Sequence, residues 1–172
     1  MSKGLTRSLG RAAPTLAKIV KQRVKARAVA LSIDGATGVG FGTAVIGDLP
    51  AGNILFLGAV AYCQITEASA GIDATFDGDF SIGTAPTADA TLSGSEVDIV
   101  ASTALGAATG SVSPRARGTH AVAVTGTVLD NTDGSLELNL NVLIDDANIS
   151  ADDAVAAADV DLELSYVVLL DD

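Results

Sequence analysis

Tryptophan is absent from this chain, and histidine, cysteine and methionine occur once each among 172 residues. The lone cysteine, Cys63, excludes an internal disulfide framework. It lies in an apolar run, where an inert buried thiol is expected, because reactive thiols need an accessible, electropositive setting. The lone histidine, His120, leaves acid–base chemistry thin. A Ser-His-Asp site could be assembled on paper, but no nucleophile motif surrounds any serine, and His120 reads as a surface or interface residue. No catalytic residue, cofactor or resident metal is expected. Aromatics are also scarce: Phe41, Phe56, Phe76, Phe80, Tyr62 and Tyr166. The core must therefore be aliphatic. The longest apolar run, Ile54 to Cys63, falls short of the roughly 18 residues a membrane span needs. The first thirty residues lack a continuous apolar segment, so a secretory signal is not expected. Their Arg-rich, acid-free character looks like a transit peptide, a minor alternative.

Acid is missing from the N-terminal end, and base from nearly everything after it. Residues 1 to 27 hold Lys3, Arg7, Arg11, Lys18, Lys21, Arg23, Lys25 and Arg27, and the first acid is Asp34. Beyond residue 27 only Arg115 and Arg117 stand against all 21 acids. Such a block marks an arm that works on something outside its own domain. The reading is a basic arm over 1–27 and one domain over 28–172, long enough to bury most of its apolar surface. Leu16, Ile19, Val20 and Val24 have helical spacing, and Pro14 suits a first helical turn. A basic amphipathic helix is expected over about 14 to 25, with an extended arm as the alternative.

The body reads as strands. Apolar residues alternate with polar ones over 72 to 82, 136 to 144 and 160 to 170, and more weakly over 122 to 128. Period-2 patterns predict strands with one face on a core and one in water. Ile54 to Ile65 is apolar on both faces, so it is expected to be covered on both sides, with Phe56 and Tyr62 on a face able to meet a neighbouring subunit. Ala28 to Ile33 is a further strand. Val39 to Ile46 carries Gly40 and Gly42, which weaken a strand and often mark a bulge. Ser95 to Asp98 and Ser150 to Asp153 each fit a Ser-x-x-acid start, predicting two short helices in connections. Residues 83 to 94 and 106 to 119 read as connections. The expected class is all-β, an antiparallel β-sandwich of jelly-roll or Greek-key type.

Two motifs invite chemistry and fall short. Gly35 to Gly42 is glycine-rich but lacks the Lys-Ser/Thr of a phosphate loop, and no helical pattern follows it. Asp77, Asp79, Asp145, Asp146, Asp152 and Asp153 could gather oxygen ligands for calcium. Without EF-hand spacing, solvated acidic faces are the favoured reading.

The arm could meet nucleic acid, a membrane surface or an acidic protein surface. It offers no aromatic for base stacking, and the acidic body would repel DNA. Hence no direct nucleic acid and no membrane is expected, and a protein surface is favoured. The arm residues to bind it are Arg7, Arg11, Lys18, Lys21, Arg23, Lys25 and Arg27. Phe56, Tyr62, Arg115 and Arg117 are interface candidates.

Residues 79 to 105 run Asp-Phe-Ser-Ile-Gly-Thr-Ala, then a small-residue loop, then Glu-Val-Asp-Ile-Val-Ala-Ser-Thr. This segment resembles head decoration (cement) proteins of tailed bacteriophages, as does the acidic, Ala/Gly/Thr/Val-rich composition. It covers about a sixth of the chain. The resemblance implies a non-enzymatic β-sandwich or jelly-roll module on the outer capsid surface of a virion. It implies the major capsid protein as partner and a homo-oligomer, trimer or dimer. A ligand- or glycan-binding sandwich is the rival, though scarce aromatics disfavour sugar stacking. An enzyme ranks third.

Overall fold

The computed structural model describes residues 18–34, 39–69, 71–109, 113–121, 125–145 and 154–169. They form β1 (Ile19–Ile33), β2 (Gly40–Asp48), β3 (Gly52–Ala68), β4 (Gly78–Gly83), β5 (Val100–Ala104), β6 (Arg115–Thr119), β7 (Val128–Asn131), β8 (Glu137–Ile144) and β9 (Ala154–Leu169). The strands make two antiparallel sheets. The first has the order β1-β9-β3-β6, with β7 pairing further along the same edge of β3; the second has the order β2-β8-β4-β5.

The core lies between the sheets and is aliphatic, as the shortage of aromatics requires. Leu31, Ile33, Ile54, Val160, Leu162 and Leu164 come from the first sheet, and Ile82, Leu138, Leu140, Val142 and Ile144 from the second. Burying an aliphatic side chain of this size contributes about 1.5–3 kcal/mol. Phe80 (β4) spans the gap: a Cβ added at Gly118 (β6) would stand 3.0 Å from its ring tip.

Several expectations are corrected. The helix expected over 14 to 25 is replaced, in its described part, by strand. Val20, Val24 and Ala26 pack on the core while Lys21, Arg23, Lys25 and Arg27 point out. Residues 1–17 lie outside the described residues, and the 27/28 boundary falls inside β1. The alternation from Ile72 to Phe76 is a turn rather than strand, because Asp73 accepts hydrogen bonds from the backbone and hydroxyl of Thr75. The same Asp-x-Thr/Ser arrangement recurs at Asp89, Asp130 and Asp133. Four of the body's 21 acids are thus turn chemistry. Where a short helix was expected near 95 to 98 there is one 3-10 turn, Gly94–Glu96. The second such site, 150 to 153, and the pattern at 122 to 124 lie outside the described residues. The expected connection over 106 to 119 contains β6.

The middle of the second sheet's outer face is covered, while Val45 on β2 stays 51% exposed. The connection from residue 84 to 99 crosses it and is held by Asn141, whose amide donates to the carbonyls of Ala85 and Glu96 at 3.0 and 3.1 Å. Asn141 in turn accepts from Thr87 N–H at 2.9 Å. Ser81 donates to Glu96 O at 2.8 Å. Asn139, Asn141 and Ser81 are consequently buried on a face that period-2 reading gave to water.

β1 carries a bulge between Ala26 and Val29, where Ala28 has φ 49°. Its freed N–H donates to Asp159 at 2.8 Å. Left-handed backbone costs an L-residue about 1–2 kcal/mol, more than the 0.4–1 kcal/mol or so of chain entropy that glycine adds to the unfolded state. Ala28→Gly should therefore raise the melting temperature by about 2–4 °C. A thermal melt that falls instead would show that this backbone is not strained.

Candidate functional site

The open surface is the outer face of the first sheet. Register places its side chains in rows. Lys25, Asp161, Tyr62 and Arg117 lie abreast across β1, β9, β3 and β6; Arg23, Glu163, Val60 and Thr119 form the next row. Ile19, Val167, Leu55 and Val128 make an apolar row nearer the start of β1. Ile19 is 58% exposed and Val128 52%. A central acidic strip is thus flanked by bases on both sides.

The strip consumes part of the arm. Arg27 Nη2 lies 2.8 Å from Asp161 Oδ2, its Nη1 donates to Val160 O at 2.9 Å, and its Nε lies 3.8 Å from Asp159. Arg23 lies 3.7 Å from Asp161. Hydrogen bonding from Arg27, then the fields of Arg27, Lys25 and Arg23, hold the Asp161 carboxyl below the usual carboxylate range against partial desolvation. The expectation that all these bases reach outside the domain is corrected to that extent: Arg23 and Arg27 pair within the chain. Arg115 and Arg117, among the described residues, have no acid within ion-pair distance. Every described lysine and arginine lies on β1, on β6 or, for Lys18, just ahead of β1.

Arg23, Tyr62, Arg117, Asp161 and Glu163 line a shallow depression with Val60 at its floor. Tyr62, 37% exposed, donates its hydroxyl to Gln64 at 3.1 Å. So the face brings together Arg23, Lys25, Arg27, Tyr62, Arg115 and Arg117. Arg7 and Arg11 lie outside the described residues.

Phe56 is not on this face, and its reading as an interface residue is corrected. It is 1% exposed and its ring meets His120 edge-on, with centroids 6.1 Å apart. The register shifts between Phe56 and Gly58. That bulge moves the inward positions of β3 from even to odd numbers, so Phe56 points in and Tyr62 out. Gly58 in an apolar strand was the available signal. A side chain there would meet the His120 ring at 3.0 Å. His120 is absorbed by this packing, with Nδ1 3.2 Å from Ala59 N.

Elsewhere, burial and the charge of Asp159 push the Cys63 thiol up to about 12, which leaves it protonated and unreactive. Burial, then the charges of Asp79 and Asp77, raise the Asp145 carboxyl. Among the described residues no three potential ligands are placed to hold a metal ion, and no helix is long and apolar enough to cross a membrane. No protein-family model, curated protein or solved structure matches the chain.

Proposed function

We propose that the protein is a non-enzymatic virion component of the jelly-roll type that binds and reinforces a phage capsid shell from outside. The observation that carries this reading is the strand pairing. β1 pairs β9, β2 pairs β8, β3 pairs β6 and β4 pairs β5. Those are the rungs of one long hairpin, and rolling it adds β9 beside β3 and β8 beside β4. The jelly roll has that plan and recurs in viral capsid modules. Fold alone does not specify function. Three further features support a docking module. One broad sheet face stays open. The segment that resembles decoration proteins, 79 to 105, is the β4–β5 unit whose connection covers the middle of the opposite face. Every described base lies on the open face or just ahead of β1.

Shell attachment falls to Lys3, Arg7, Arg11 and Lys18, which precede β1, acting on acidic surface of the major capsid protein. Many weak contacts repeated around a symmetric shell give avidity without one strong site. The test is co-sedimentation of the full chain with shells of its co-encoded major capsid protein prepared without it. Saturable binding is expected, weakened as salt screens the arm. Absence of binding at low salt would overturn the reading, and retention on an immobilised glycan instead would favour the rival.

A further inference from the structure

The first sheet ends at β6, which pairs β3 on one side and no described strand on the other. The phase of that ladder is fixed at both ends. Ile65 N–H donates to Pro114 O at 2.9 Å, and His120 N–H donates to Ala59 O at 3.1 Å. Hydrogen-bonded and non-hydrogen-bonded pairs alternate along an antiparallel ladder. Pro114, Ala116, Gly118 and His120 therefore aim their backbone groups at β3, while Arg115, Arg117 and Thr119 aim theirs away from it. Arg115 N–H is taken by Leu105 O at 2.9 Å. The N–H and C=O groups of Arg117 and Thr119 meet no backbone partner among the described residues. An edge of that kind is a template for one more strand.

The side chains along this edge select the kind of strand. Arg115, Arg117 and Thr119 are exposed, and Ala116 and Gly118 turn inward. Neither guanidinium has an acid within ion-pair distance among the described residues. Their neighbours on β3 are Val60, Tyr62 and Gln64, none of them charged. The acids of β9, Asp159, Asp161 and Glu163, come one strand further in. Strands are about 4.8 Å apart. A strand added outside β6 thus lies about 5 Å from the arginine backbone and about 14 Å from those acids, beyond the screening length of about 10 Å at 0.1 M salt. It meets positive charge. A short strand, a proline ahead of it and charged side chains are also how edges avoid indiscriminate pairing. Two copies of β6 side by side would set arginine against arginine, and like charges directly opposite are destabilising. The edge therefore repels its own copy and accepts acid.

We infer that β6 is a docking edge for an extended acidic segment of a partner protein, which adds to the first sheet as an antiparallel strand along Arg117 and Thr119. Antiparallel pairing joins every other strand of this sheet and is the more stable per residue. The residue opposite Arg117 exchanges both backbone bonds with it and shares its face. An acid there meets the Arg117 guanidinium directly and the longer reach of Arg115 diagonally. Acids consequently fall at alternate positions of the incoming strand. The positions between them turn inward toward β5, where Thr103 and Val100 already crowd the space beneath Gly118, so they take small side chains. Main-chain bonds give such a contact its affinity, and the side chains give it selectivity. The inference does not rest on capsid binding, since the edge is tested with no shell present.

The test is fluorescence anisotropy of the full chain at about 0.1 M salt with a labelled, end-capped peptide that alternates glutamate with threonine and is long enough to span β6. Saturable binding is expected, at least tenfold weaker when glutamine replaces glutamate. Methylating the backbone nitrogens of the glutamates, which face β6, should also weaken it at least tenfold. Thr119→Pro removes an N–H that faces away from β3, a place where an edge strand tolerates proline; it should cost at least tenfold without any change of charge. R115E/R117E should lose the glutamate peptide and bind its lysine counterpart. Amide exchange at Arg117 and Thr119 should slow when peptide is bound. Circular dichroism and a melt of each variant establish that it is folded. No saturable binding, equal binding of the glutamine peptide, or a folded Thr119→Pro chain that binds as wild type does would each overturn the inference.

Discussion

Removal of residues 1–17 and removal of residues 1–27 should yield very different proteins. The shorter deletion touches no described strand and should leave a folded sandwich. The longer one removes Ile19 to Ala26 from their pairing with Val167 to Val160. It strips Val20, Val24 and Ala26 from the core and breaks the hydrogen bond from Tyr166 to Gln22, 3.0 Å long. It also leaves Asp159, Asp161 and Glu163 without their neighbouring bases. Two partly buried valines contribute about 1–2 kcal/mol each, and each lost ladder bond roughly 1 kcal/mol more. The total is comparable with the whole stability of a domain, about 5–15 kcal/mol. It also bares an edge on β9, which invites aggregation. Urea unfolding of the two truncations checks this. The 1–17 deletion should keep the full chain's midpoint, while the 1–27 deletion should be insoluble or unfold at much lower urea. Equal midpoints would mean that the first half of β1 adds nothing to the fold.

Phe80→Ala should be the most damaging single truncation in the core. Phe80 is fully buried, and its ring fills the space left by Gly118 on the opposite sheet. Thr103 and Val100 crowd the same spot, each 2.7 Å from where a Cβ on Gly118 would stand. Their β5 backbones are hydrogen-bonded into the second sheet, so the site cannot collapse to fill the void. Removing a buried phenylalanine ring costs about 3–5 kcal/mol, or roughly 10 °C in melting temperature for a domain of this size. Calorimetry measures it. A loss below about 1 kcal/mol would be less than an ordinary core truncation costs and would show the two sheets closing over the gap.

The strands that were legible in the sequence are those whose partners on the core side are large. β8 shows Leu138, Leu140, Val142 and Ile144 at every second position, and β9 shows Val160, Leu162 and Leu164 in the same way. Pairing by hydrogen bonds needs no particular side chain, but burial does, and these two strands lie inside their sheets. β6 was illegible because its inward residues are Ala116 and Gly118, small where Phe80 and Thr103 already fill the space. Tyr62 was read as an interface candidate on a covered strand and lies on the outer face, 37% exposed, while Arg115 and Arg117 were legible as the body's only bases. Phe56 was misread because one bulged residue at Leu57–Gly58 reverses the faces of the strand, and parity carries no warning of it.

By itself, then, the amino-acid order determined an all-β chain with an aliphatic core and a sharp division of charge. Those follow from composition and from local period, which each residue carries wherever it is placed. Which faces stay open, and what the bases do, was decided by tertiary structure. Lys25 and Asp161 are far apart in the chain and adjacent only because β1 and β9 pair. That one long-range register turns half of a basic arm into a strand and draws Arg23 and Arg27 onto acids of the same chain. The pairing of β3 with β9 on one side and β6 on the other sets Arg115 and Arg117 on the same face. Coulomb attraction depends on distance in space, and only folding sets that distance.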